Sequence, residues 1–146
     1  MHKNNERPRI YVAGPMTSNK VLGPYTPIGD AARIASLLYA AGWLPFVPQL
    51  NSLWEIVCGP LDDTKPAGGW LDYDFGWLDV CHAIYRMPGD SDGADQETTR
   101  ARIACKPRFD NMMDARHPGG AWEAWSRQRG RQFAHIDGPY VSLEAP

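Results

Sequence analysis

The sequence predicts an α/β domain with a mostly parallel sheet. Short β-branched and aromatic runs recur at "RIYVAG" (9–14), "WLPFVP" (43–48) and "HAIYRM" (82–87), each bounded by Gly or Pro. Longer segments with a helical apolar period separate them. Alternation of this kind is the pattern of parallel strands joined by crossover helices. The 146 residues suit one ordinary domain, and a hydrophobic share of 43% against 22% charged supplies a core. A single domain over 1–146 is therefore expected, its last part (110–146) a helical extension.

Residues 9–14 read as a buried strand ending at a glycine. The loop "PMTSNKVLGPY" leads to "TPIGDAARIASLLYAAG", where Thr26 can cap a helix, Pro27 suits its first position and Gly42 can stop it. Ile28, Ala31, Ala32, Ala35, Leu38 and Tyr39 recur on one face. In 43–48 the prolines are expected at the strand's ends, where they do least harm. "LWEIVCG" fits a short helix or a strand. Residues 60–69, rich in Pro, Gly and Asp, read as a loop long enough to be a lid or an insertion. "WLDYDFGWLDVC" (70–81) fits a helix with Leu71, Phe75, Leu78 and Cys81 inward. A third strand covers 82–87, a helix runs from about Ala94 to Ala104, and "KPRF" is a candidate fourth strand. Beyond Phe109, "AWEAWSRQRG" reads as an amphipathic helix with Arg127, Arg129 and Arg131 toward its C-terminal end.

Several function classes fall away. A net charge of −2 gives no general attraction to nucleic-acid polymers or membranes. No apolar stretch reaches membrane-span length, and the polar start "MHKNNERPR" has no signal core, so a cytoplasmic protein is expected. Cys58, Cys81 and Cys105 are unclustered, as are the four histidines. Neither a disulfide framework nor a metal site is expected, and no cofactor. G-x-G-x-x-G, G-x-x-x-x-G-K-[ST] and G-x-S-x-G are all absent from the sequence, which removes dinucleotide, P-loop and common serine-hydrolase chemistry.

Carboxylates remain. Asp72, Asp74 and Asp79 precede the third strand, and Asp90, Asp92, Asp95 and Glu97 follow it in "GDSDGADQE". In parallel sheets ligands bind beyond the carboxyl ends of strands, which selects 14–26, 48–70 and 88–97. Two carboxyls flanking an anomeric carbon are the usual equipment for glycosidic cleavage. Acidic residues in a first helical turn also have a plain role, stabilising the helix through its dipole.

"IYVAGPMTS" and "DFGWLDVCHAIYRMPGDSDGADQE" together resemble the nucleoside 2-deoxyribosyltransferase-like superfamily over about residues 9–109. The resemblance implies a Rossmann-like or flavodoxin-like three-layer domain. It also implies Glu97 as nucleophile at C1′, Asp74 as the proton-transfer partner, and Tyr11 as the tyrosine that orients the glutamate. Gly14, Pro15, Met16, Thr17 and Ser18 would form the sugar- or phosphate-holding loop. Ser91 would be a hydroxyl donor, Gly93 a close backbone approach to the ligand, and Trp77 a pocket wall. The chain departs from the family in three places. The first loop has Thr17, Ser18 and Lys20 where an arginine is usual, "CHA" with His82 replaces C-D-A, and the usual glycine before the last strand is missing. Asn111 is a nominee for a pocket completed by a neighbouring subunit, since the resemblance implies a homodimer or larger homo-oligomer.

The expected function is hydrolysis of the N-glycosidic bond of a nucleoside or deoxynucleoside 5′-monophosphate. The alternatives are a nucleoside 2′-deoxyribosyltransferase, a non-catalytic nucleotide-binding protein on the same fold, and an interaction domain using Trp122 and Trp125.

Overall fold

The computed structural model describes residues 7–16, 26–59, 61 and 69–116. Within them the chain runs β1 (Arg9–Ala13), α1 (Pro27–Ala40), β2 (Leu44–Phe46), a 3-10 turn (Pro48–Leu50), α2 (Asn51–Cys58), α3 (Trp70–Val80), β3 (Ala83–Arg86), α4 (Asp92–Ile103), β4 (Arg108–Phe109) and α5 (Met112–Arg116). The four strands are all parallel, in the order β2-β1-β3-β4. Strand–helix alternation is thus realised as expected. The amphipathic helix proposed around Trp122 and Trp125, with its three arginines, lies outside the described residues. Among the described residues no helix is long and apolar enough to cross a membrane.

β1 is central and, after Arg9, wholly buried, so alternation sends its side chains into two different layers. Ile10 and Val12 join Ala31, Leu38, Trp43, Tyr85 and Phe109 in the larger apolar cluster. Tyr11 and Ala13 face Leu78, Cys81, Ala94 and Ala101 on the other side. Helices α1 and α5 therefore cover one face, and α3 and α4 the other.

Local chemistry explains most boundaries. Thr26 accepts a hydrogen bond from Gly29 N and Pro27 opens α1, as the sequence suggests. Ile28, Ala31 and Leu38 are buried, but Ala32 and Tyr39 turn outward. Tyr39 lies under the Arg7 guanidinium at 4.0 Å, so its ring is used at the surface. Pro45 sits mid-strand, not at an end. β2 is an edge strand, and since Leu44 N turns inward to Pro8 O at 2.8 Å, the next residue faces the open side, where no N–H is needed. Residues 51–58 are helical, which closes the strand alternative. On α3, Leu78 is fully buried while Leu71 and Phe75 are only half-buried. His82 has a structural role, its Nδ1 accepting from Arg9 N at 2.9 Å.

The missing glycine before β4 has a visible consequence. Cys105 adopts φ 57°, the left-handed turn that ends α4, with Lys106 N bonded back to Ala101 O. A side chain there costs about 1–2 kcal/mol. Cys105→Gly should therefore raise stability by about 1 kcal/mol once glycine's greater unfolded-state freedom is subtracted. Urea denaturation at fixed pH checks this, and an unchanged midpoint would show that the turn is unstrained.

Candidate active site

Three side chains nominated separately in the sequence meet in the layer between β1, α3 and α4. Tyr11, from the middle of β1, donates its hydroxyl to Glu97 Oε2 in a hydrogen bond across 86 residues. Glu97 lies about one and a half turns into α4. It is 6% exposed and faces the sheet. Asp74, at 7% exposure, is the buried carboxyl of α3. Asp72 is exposed, and Asp79 is held by Arg100 through two 2.7 Å bonds on the protein's outside.

Burial sets the electrostatics. It pushes Asp74 up to about 8, Glu97's charge pushes the same way, and a 3.1 Å hydrogen bond from Asn51 Nδ2 opposes both. Glu97 is raised to about 7 by burial, against the Tyr11 hydrogen bond and the charge of Arg86. The same burial and the two carboxyls hold the Tyr11 hydroxyl far above its ordinary range, so it stays a donor. One charge on the carboxyl pair opposes a second. Both carboxyls are held toward the protonated form, and the Tyr11 hydrogen bond and the Arg86 charge favour ionisation of Glu97 while Asn51 favours that of Asp74, so the pair resists carrying two charges at once.

An aromatic wall flanks the carboxyls. Phe46 lies 5.7 Å from the Tyr11 ring and stacks on Trp77 at 4.9 Å and 16°. Trp77 is 43% exposed, leaving its indole open to a ligand. Trp70 instead packs edge-on against Trp54 and Tyr73 and buries its Nε1 without a partner.

The motif loops are built differently from expectation. Gly14 is buried, and an added Cβ would lie 2.8 Å from Met87 Cβ, so the glycine is required by internal packing. Pro15 closes on Gly89, where a Cβ would stand 2.7 Å from its ring and φ is +111°. Met16 is exposed, and Thr17 and Ser18 lie outside the described residues, as does Lys20. Ser91 caps α4, which begins at Asp92 and not at Ala94. Its Oγ accepts from Ala94 N at 3.1 Å, leaving the hydroxyl hydrogen available. A Cβ at Gly93 would meet nothing within 4 Å. Asn111 is a helix cap, exchanging bonds with Asp114 at the start of α5, and touches none of these groups.

Three contributors were not foreseen from the sequence. Asn51 reaches Asp74, Phe46 joins the wall and Arg86 acts on Glu97. Only Arg86 carried a signal, as a charge in an otherwise apolar strand. A cavity of about 640 Å³ between α3 and α4, lined by Phe75, Asp95, Thr99 and Arg100, shares none of the three central side chains. Among the described residues no cluster of three His, Cys, Asp or Glu side chains could hold a metal. Comparisons of the chain with models of known families, with curated proteins and with solved structures returned no match.

The raised carboxyls have a consequence for stability. Both bind protons more tightly folded than unfolded, so their contribution is fully present below about pH 4, the range of an unfolded carboxyl. It is lost as pH rises toward 8. Asp74→Asn should flatten this fall and make the protein more stable than wild type at pH 8. Equilibrium denaturation at pH 5 and pH 8 measures it. Parallel pH dependences in the two proteins would show that Asp74 is not buried as a neutral acid.

Proposed function

We propose that the protein cleaves the N-glycosidic bond of a nucleoside or deoxynucleoside 5′-monophosphate. The observation that carries this reading is the Tyr11–Glu97 hydrogen bond beside a second buried carboxyl, Asp74, with burial raising both acids. Membership of the nucleoside 2-deoxyribosyltransferase-like superfamily, a Rossmann-like three-layer domain and a homo-oligomeric cytoplasmic enzyme belong to the same reading. The motifs around Tyr11, Asp74 and Glu97 and the parallel sheet support it.

The Glu97 carboxylate attacks C1′ as the C1′–N bond breaks, and the Asp74 proton passes to the departing base. Tyr11 fixes one oxygen of Glu97 so that the other meets the sugar. Water then attacks C1′ of the glycosyl ester, its proton returns to Asp74, and Glu97 leaves as carboxylate. Trp77 offers a face for the base. Ser91 O–H and the start of α4 offer donors to the 5′-phosphate.

A second reading follows from the surroundings of Ser91. Asp90, Asp92 and Asp95 all lie exposed around it and repel a phosphate. That crowding favours a nucleoside without phosphate and transfer of deoxyribose to a second base. A non-catalytic nucleotide binder has no use for two buried carboxyls near an anionic ligand.

Chromatography of nucleosides and 5′-monophosphates, with and without an acceptor base, separates these readings. Free base from monophosphates identifies the hydrolase; a new nucleoside formed only with acceptor identifies the transferase. Glu97→Gln should lower turnover at least about 10³-fold while calorimetric binding persists. Wild-type kcat/KM should form a narrow bell with limbs near 7 and 8. Asp74→Asn should lose the basic limb and suffer least with bases that depart easily. Binding without base release across the whole panel would return the protein to the class of binders.

A further inference from the structure

We propose that Arg86 is a positioning residue for Glu97: its buried guanidinium braces the turn that delivers this carboxyl and keeps positive charge on Glu97's side of the pair. The inference rests on the reading of Glu97 as nucleophile, and adds a second group, beside the Tyr11 hydroxyl, that favours charge on this carboxyl. Arg86 is the last residue of β3, in register with Ala13 of β1, and its side chain is only 9% exposed. One Nη donates to Met87 O, and the other to Gly89 O at 3.0 Å and Asp95 Oδ1 at 3.0 Å. Both carbonyls belong to the turn between β3 and the Ser91 cap, so the guanidinium fixes the path by which α4 starts.

Its single carboxylate partner is weakly held. The Asp95 side chain is 69% exposed, so water screens the pair and leaves the buried cation incompletely balanced. Facing Glu97 are Tyr11 from β1, Asp74 from α3 and Arg86 from β3. Arg100, one turn further along α4, is engaged by Asp79 at the surface. Arg86 favours ionised Glu97, whereas Asp74 responds to burial, to Glu97 and to Asn51. The cation is therefore asymmetric with respect to the pair. It acts in the same direction as the Tyr11 hydrogen bond to Glu97.

A carboxyl-carbon NMR titration of Glu97 and Asp74 in the full chain tests this, run beside pH profiles of base release. Arg86→Met should move the Glu97 midpoint up by about one unit or more and carry the acid limb of the activity profile with it. Arg86→Lys should restore most of the shift. Asp95→Asn, at an exposed position, should move the midpoint down by stripping the counter-charge from Arg86. A brace without an electrostatic role would lower the melting temperature and leave the midpoints in place. An unmoved Glu97 midpoint in Arg86→Met, or in Asp95→Asn where the first variant does not fold, overturns the proposal. The titration needs no turnover. Shifted midpoints without base release would refute the glycosidic reading and uphold the role of Arg86; base release with unmoved midpoints would do the reverse.

Discussion

The hydrogen bond from Tyr11 to Glu97 is the constraint around which the α3–α4 side of the molecule is arranged. A carboxyl taken out of water costs several kcal/mol unless it is protonated or supplied with donors. The donor comes from β1, an interior strand held between β2 and β3. Glu97 can reach it only because Ala94 and Ala101, on the same face of α4, are small enough to let the helix lie close to β1. The site is a product of the packed layer and not of any one loop.

Two-residue alternation in β1 divides the labour. Ile10 and Val12 enter a large apolar cluster with Leu38, Trp43 and Phe109, and the Trp43 indole is satisfied by Ala115 O at 2.7 Å. Tyr11, one residue away, enters a smaller cluster that carries two carboxyls and a thiol raised to about 11 by burial. The costly polar burial on one face is offset by hydrophobic burial on the other. Lys106 supports the same side, its ammonium joining the carbonyls of Leu78, Asp79 and Cys81 at the end of α3.

Much of this was legible because it follows from period and caps. The strands around Tyr11 and Ile84 and the Thr26 cap agree with the residues the structure buries and pairs, whereas Asp74 was singled out from Asp72 and Asp79 only by the resemblance, not by period or caps. Ala32 and Tyr39 misled because a helix stripe read from apolar letters is wider than the face the sheet covers. α2 was ambiguous because its eight residues are too few for periodicity to separate helix from strand, which also leaves its placement open. Asn51 could not be foreseen for the same reason: its role depends on where that helix lies against α3. Phe46 needed the β1–β2 register, which pairs it with Tyr11.

The motif glycines bear on what kind of evidence a sequence resemblance supplies. Gly14 is required by Met87, and Gly89 by Pro15 and its own left-handed φ. The turn after β1 and the turn after β3 are thus locked together by packing, and a chain with no activity would need the same letters. Asn51 and Arg86 are different. Neither was nominated by the motif, both are polar groups drawn toward a buried layer at a desolvation cost, and each touches or acts on one carboxyl of the pair. Each biases the titration of a different carboxyl, and Arg86 at the same time holds the carbonyls of the turn from which α4 starts, so fold and electrostatics meet in one side chain.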